Sequence, residues 1–272
     1  MSERPSYPPS RHILRHLRLI HRFPSSSGGG IEVTMPILDD LCDEQGSLRI
    51  GPISTLIDSA AGVFSVRQVT PDWVATLGLS TVVQRAARGD QVVARCDPIR
   101  VGRNNVTTEI TVSDDEGQVA TSICTYARLP TRSDNPSVGY FNDDFMDYAE
   151  ADEEPRIPFD DYLRIERDPE APILRLPHHS RIYNSFGSIQ GGVVVALGET
   201  AAVHAAEQRW GSPASCVSIQ VNYLAQAKSG PFTVYADVLH DDGRSATCQV
   251  RIVDSGNDDR LLDIATATVL RR

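Results

Sequence analysis

The chain has 272 residues, 40% of them hydrophobic and 23% charged, and a formal net charge of −10. That length suits about two domains, each able to bury its own core, and no apolar run approaches the roughly 20 residues that span a bilayer, which excludes an integral membrane protein. Residues 133–170 hold 13 acidic side chains against three arginines, the whole of the net charge; with no basic stripe on the remainder, nucleic acid is not an expected partner.

At the start, Met1 to Ser10 lacks the apolar core of a secretory signal. Arg11, Arg15, Arg18 and Arg22 flank Ile13, Leu14, Leu17 and Ile20 at helical spacing, which predicts a short helix capped by Ser10. It is read as an extra helix docked on or fraying from the body, with a peripheral membrane or partner contact as the alternative. The serines and glycines between Pro24 and Gly30 predict a flexible joint, so residues 1–30 form one appended segment.

Residues 31–130 follow as a first domain. A short extended stretch leads to a helix with Pro52 in its first turn and an apolar face of Leu56, Ile57, Ala60, Ala61 and Phe64. Strands are predicted at Leu79 to Val83, Gln91 to Ile99, Val106 to Val112 and Val119 to Tyr126, with turns at Gly89-Asp90 and Glu116-Gly117. Residues 131–171 are acidic and carry Pro136, Pro155, Pro158 and Pro169, which reads as a solvated linker with local helix around Phe145 to Tyr148. Its aromatics, Tyr140, Phe141, Phe145, Tyr148, Phe159 and Tyr162, favour docking of part of it on the body. Residues 172–272 form a second domain: a helix from Val193 to Trp210, then strands at Cys216 to Leu224, Phe232 to Leu239, Ala246 to Val253 and Leu261 to Leu270.

The five cysteines include no close pair of metal-ligand spacing and are read as reduced and mostly buried, which points to the cytoplasm. His178, His179 and His204 lack a carboxylate or cysteine at ligand spacing and are read as surface or packing residues. No metal and no other cofactor is expected.

The two domains are copies. Asn184-x2-Gly187-x2-Gln190-Gly191-Gly192-x6-Glu199 has a counterpart 141 positions earlier, Asp43-x2-Gly46-x2-Arg49-Ile50-Gly51-x6-Asp58. Each runs on into small residues, Thr200-Ala201-Ala202 and Ser59-Ala60-Ala61. The same offset matches Gly89 with Gly230 and Gly102-Arg103 with Gly243-Arg244. Internal repetition of this kind sets the architecture, and one carboxylate persists in each copy while its surroundings diverge.

A helix start of the form Asn-x2-Gly-x2-His-Gly-Gly with an acid eight residues past the first paired glycine resembles the hotdog-fold acyl-CoA thioesterases of the phenylacetate-pathway type. The second copy matches this pattern except that Gln190 stands for the histidine. The resemblance implies an α+β protein of two tandem hotdog domains, each a long helix wrapped by a curved antiparallel sheet, paired edge to edge as an intrachain pseudo-dimer with sites shared between halves. It implies an acyl-CoA substrate and thioester hydrolysis, and it leaves a homodimer of double-hotdog chains open. By the resemblance, Gly191 offers its N–H to the oxyanion at a helix N-terminus, with Gly192 beside it. Asn184 supplies a second donor or fixes a water, and Asp58 and Glu199 are the carboxylates that activate water or attack directly. Cross-pairing then gives Asp58 the company of Asn184, Gln190 and Gly191, a nearly complete set. Glu199 instead meets Asp43, Arg49 and Ile50, where an ion pair is expected to leave it structural. Arg85, Arg103 and Arg244, with Arg100, are candidates for the nucleotide of CoA. Two alternatives stand beside this reading: a catalytically silent acyl-CoA binder or scaffold, and a hydratase or dehydratase built on Glu199-x4-His204.

Overall fold

A computed structural model of the chain describes residues 7–23, 30–133, 135–136, 145–148 and 156–272. The N-terminal segment contributes α1 (Ile13–His16) and β1 (Ile20–Arg22), and the first half then runs β2 (Ile31–Pro36), α2 (Ile50–Val69), β3 (Trp73–Val83), β4 (Gln91–Val101), β5 (Asn105–Asp114) and β6 (Gly117–Leu129). Short elements β7 (Phe145–Asp147), α3 (Phe159–Leu163) and β8 (Glu166–Arg167) lie between the halves. The second half repeats the order as β9 (Ile173–Leu176), α4 (Gly191–Trp210), β10 (Ala214–Tyr223), β11 (Phe232–Asp241), β12 (Ser245–Asp254) and β13 (Arg260–Arg271).

All strands among the described residues join one antiparallel 13-stranded sheet whose centre reads β2-β4-β5-β6-β3-β10-β13-β12-β11-β9. The order is the same from either end, so the repeat in sequence is a two-fold in space. Its axis passes between β3 and β10, which pair from Ser218↔Val82 to Asn222↔Gly78. Helix α2 packs on β2 to β6, α4 packs on β9 to β13, and the two helices pack on each other. They run antiparallel and very close: a Cβ on Gly192 would lie 2.3 Å from Thr55 Cα, and one on Gly51 would lie 2.9 Å from Ala196 Cβ. Thr55 and Ala196 are the same position of the repeat. Because each helix is covered by its own sheet and by its twin, every residue from Ile50 to Ala61 is buried, rather than the single apolar face that the spacing predicted.

The long strands fall where alternation predicted them, with one clear extension. β3 begins at Trp73, six residues before Leu79, because Trp73 to Thr76 pair with β6 from Leu129 to Tyr126; their burial does not alternate, so the period-two signal is missing there. The N-terminal helix is shorter than predicted. It is capped by the His12 side chain rather than Ser10, and Arg18, with φ +52°, turns the chain out of the helix so that Leu19 and Ile20 lead into the sheet edge. Ile13, Leu14, Leu17 and Leu19 are buried in the core, so these apolar side chains pack inward on the body. Phe145 to Asp147 form a strand paired with β1, not a helix, since the extended edge of β1 offers backbone partners that a single isolated turn lacks. Tyr148, Phe159 and Tyr162 of the acidic segment are buried against the body. Tyr140, Phe141 and the joint at 24–29 lie outside the described residues. Among the described residues, no helix is long and apolar enough to cross a membrane.

Candidate active site

Both helix starts are built by the same turn. The Asn184 Oδ1 accepts hydrogen bonds from the N–H groups of Phe186 (2.9 Å) and Ser188 (3.1 Å), as the Asp43 Oδ1 does from Gln45 (3.1 Å) and Ser47 (2.9 Å). Gly187 and Gly46 take φ +70° and +76° to close the two turns, a region glycine enters without a steric cost. Asn184 is therefore a turn former. It also lines the cavity described below: its carbonyl oxygen is committed to the loop, while its Nδ2 makes only a 3.5 Å contact with the Ile189 carbonyl oxygen.

Asp58, in the middle of α2, meets the N-terminus of α4 across the two-fold. Gln190 donates its Nε2 to Asp58 Oδ2 at 2.8 Å, and the Gly192 N–H reaches the same oxygen at 3.2 Å. The Gln190 side-chain oxygen meanwhile accepts the Val193 N–H at 3.2 Å and caps α4, so capping fixes which end of the amide faces the acid. On the other oxygen, Oδ1, the hydroxyls of Tyr126 (3.0 Å) and Thr76 (3.3 Å) donate. A Cβ on Gly191 would stand 2.8 Å from Oδ1, which is why this position tolerates no side chain. Asp58 is 7% exposed. Burial pushes its carboxyl above the usual range, and the donors Tyr126, Gly192, Thr76 and Gly191 pull against that rise without cancelling it. Burial and the nearby Asp58 raise the Tyr126 phenol well above its ordinary value, so it stays a donor.

Glu199, at the matching place on α4, has different company. It accepts the Gly51 N–H at 3.0 Å, the equivalent of Gly192, but Arg49 stands where Gln190 does and contacts both of its oxygens, Nε to Oε1 at 3.3 Å and Nη2 to Oε2 at 3.1 Å. Arg49 Nη1 also holds Asp160 at 2.8 Å, and Arg167 binds the other Asp160 oxygen at 2.6 Å. Burial raises Glu199 and Arg49 opposes it; for Asp160 burial also pushes upward, but Arg49 and Arg167 outweigh it and hold the acid below its ordinary value. The expected ion pair is present, and a carboxylate from the acidic segment that the spacing did not single out completes it. Ile50, buried, fills the position of Gly191. Asp43 does not join the cluster: its second oxygen accepts the Ser215 hydroxyl at 2.9 Å.

Tyr126 and Thr76 were not singled out in the sequence. They are sheet partners one residue before a bulge between β3 and β6; in the second half Cys216 and Val269 hold the same register before the bulge between β10 and β13. The one signal for Tyr126 was a large polar residue ending an inward-facing series of small ones, Ala120, Ser122 and Cys124. Thr76 gave none.

The Asp58 site floors a cavity of about 280 Å³ walled by apolar side chains such as Val63, Val66, Trp73, Leu129 and Phe186. A larger depression of about 790 Å³ lies over Glu199 and is lined by charged residues of both signs. Arg85 belongs to that second depression and is held by Asp114 at 2.8 Å, because the end of β3 carries it to the far side of the two-fold from Asp58. Arg103 and Arg244 are exposed on the β4–β5 and β11–β12 turns and line neither cavity, and Arg100 is exposed at the end of β4. No arginine or lysine among the described residues lines the Asp58 cavity, so none of these four is part of its wall. Gly191 and Gln190 line it; Glu199 does not. His204 is turned away, its Nε2 2.8 Å from the Asp168 carbonyl oxygen, which removes the acid–histidine pair that a dehydratase reading required.

Residues 180–272 match the acyl-CoA thioesterase N-terminal domain family. By sequence, no curated protein matches the chain. Among solved structures, a tesB protein of Mycobacterium avium subs paratuberculosis is 12% identical with a TM-score of 0.61, covering 95% of this chain and 97% of that one. An acyl-CoA thioesterase II of Mycobacterium marinum is 13% identical with a TM-score of 0.56, covering 96% and 98%. The 12:0-ACP thioesterase of Umbellularia californica is 14% identical with a TM-score of 0.60, covering 89% and 94%. At such identities the likeness carries the fold, a double hotdog over nearly the whole chain. Fold and domain match together place the chain beside the hotdog-fold thioesterases: the double-hotdog architecture spans nearly all of it, and the thioesterase domain match falls on its second half. The matched segment begins just before the turn that opens α4 and runs to the end of β13, so it holds one helix-and-sheet unit of the repeat.

Proposed function

We propose that the chain hydrolyses acyl-CoA thioesters at one site, built on Asp58 of the first half and the α4 N-terminus of the second. The observation that carries this reading is a buried carboxylate held by neutral donors at the floor of an apolar cavity, at the positive end of a 20-residue helix. Each Asp58 oxygen already accepts two hydrogen bonds, about the capacity of a carboxylate, so substrate and water must take over existing contacts. The two longest, from Thr76 at 3.3 Å and from the Gly192 N–H at 3.2 Å, are the ones to yield. A water in place of Thr76 donates to Oδ1, while the amides of Gly191 and Gly192 turn to the thioester oxygen as it becomes an oxyanion.

Asp58 then takes a proton from that water as its oxygen adds to the carbonyl carbon. The tetrahedral intermediate collapses with cleavage of the C–S bond, and the proton passes from Asp58 to the departing thiolate, giving a carboxylic acid and free thiol. Gln190 cannot transfer protons; it positions Asp58, and its own orientation is set by the cap it makes on α4. Release of free CoA from a panel of acyl-CoAs tests the reading. Thiol appearing with at least one chain length supports it, whereas binding across the panel without thiol release would make the chain a silent acyl-CoA binder.

A further inference from the structure

The Asp58 cavity has two unlike ends. One is closed and apolar: Leu14, Val63, Val66, Trp73 and Tyr148 there are all buried. The other opens to solvent at the junction of β3 and β10, where Leu77 is 44% and Leu224 55% exposed and Gln226 is exposed beside them. Behind this opening stands Asp263. It lies on β13 in register with Tyr223 of β10, is 2% exposed, and lines the cavity.

Among the described residues, Asp58 is the other carboxyl lining this cavity, and it has partners. Asp58 has its four donors, whereas the Asp263 side chain makes no hydrogen bond or ion pair with any described residue, and burial alone holds its acid well above the usual carboxylate range. Of the polar groups nearby, the Tyr223 hydroxyl donates to the Gly191 carbonyl at 2.8 Å, and the Ser188 hydroxyl accepts the Ala227 N–H at 2.9 Å. A buried acid without a partner is destabilising, and no described residue offsets it. A ligand group that enters the cavity can.

We infer that Asp263 binds the amide-bearing thiol arm of the substrate at the open end of the cavity, while the closed end takes the alkyl chain. The assignment rests on the proposed thioesterase reading and extends it to a residue outside the repeat's shared motif. An acyl thioester laid across Asp58 has two ends of matching character: an aliphatic tail for the apolar wall, and a thiol arm whose first amide lies a few bonds beyond the sulfur. A protonated carboxyl suits that amide, because it offers a donor to the carbonyl and an acceptor to the N–H. The same position in the first half, by sheet register beside Val83, is Ala120, so this contact belongs to one site only.

The test compares three thioesters of one acyl group, carried by CoA, by N-acetylcysteamine and by ethanethiol, with wild type, Asp263→Ala and Asp263→Asn. The CoA and N-acetylcysteamine esters should lose about tenfold in kcat/KM with Asp263→Ala, mostly through KM, as one hydrogen bond to a buried group is removed. The ethanethiol ester, which has no amide, should be unaffected, and Asp263→Asn should restore part of the loss. Equal losses on all three would overturn the assignment in favour of a packing role, and a loss confined to acyl groups bearing a hydroxyl would overturn it in favour of the tail. If wild type hydrolyses none of them, the thioesterase reading fails separately, and binding of S-hexyl-CoA against S-hexyl ethanethiol still decides the point: weaker binding of the first alone in Asp263→Ala supports the assignment, and no difference ends it.

Discussion

Asp58 and Glu199 occupy one position of a duplicated unit, each facing the start of the other half's helix, yet one is surrounded by neutral donors and the other is paired with an arginine. Around Asp58 stand Gln190, Gly191, Tyr126 and Thr76; in the same places around Glu199 stand Arg49, Ile50, Val269 and Cys216. The lesson is that burying an acid at a helix N-terminus does not by itself make it a base. What decides is whether its partners stabilise the carboxylate by hydrogen bonds that a water or substrate can replace, or neutralise it with a charge that cannot leave without exposing two unpaired acids. The Glu199 side has become a brace between α2, α4 and the acidic segment, with Arg49 contacting Glu199, Thr200 and Asp160.

The sharpest way to break the contrast is to give the first site a residue of the second. Gly191→Ile places a β-branched side chain where a Cβ alone would stand 2.8 Å from Asp58, and kcat should fall by about a thousandfold as carbonyl and donors are separated. The reverse transplant, Arg49→Gln, removes the cation between Glu199 and Asp160. The fold should lose about 3 kcal/mol in urea denaturation, with kcat of the remaining folded protein near that of wild type; a large fall in kcat at constant folded fraction would mean that the second site contributes to turnover.

A milder probe uses pH. Burial raises the Asp58 carboxyl above its ordinary value, and a general base works only when ionised. Activity should therefore fall as pH drops through the raised value, with an acid limb in kcat/KM above the range of an exposed aspartate. In Tyr126→Phe, which removes a donor that favours the ionised form, the limb should move further up; a limb at the position of an ordinary aspartate would show that Asp58 is not the titrating group.

Much of this was legible in the chain. The repeat was written in side chains whose roles are local, a glycine that closes a turn and an Asn or Asp that accepts from the backbone two residues on, so a fixed offset found both helix starts and both carboxylates. The central strands alternate and were found; Trp73 to Thr76 do not, and were missed. The pairing of Asp58 with Gln190 followed from the resemblance once the two-fold was granted. What could not be read were the contacts made by register across strands and by insertions between them. Tyr126 reaches Asp58 only because β6 pairs with β3 in one particular alignment, and Asp160 reaches Arg49 only because α3 folds back onto the helix start. Neither distance is encoded in spacing along the chain. The arginines show the converse: Arg85, Arg103 and Arg244 were chosen by charge alone, and charge does not say which of them topology brings to the wall of the Asp58 cavity, where none of the three stands.

The central claim is that one of two symmetry-related carboxylates does the chemistry, and kcat/KM of Asp58→Asn and Glu199→Gln on a single acyl-CoA, with folding of both verified by thermal melting, tests it most directly. The account predicts a loss of about a thousandfold in Asp58→Asn and near wild-type turnover in Glu199→Gln. Equal losses, or the larger loss in Glu199→Gln, would contradict it.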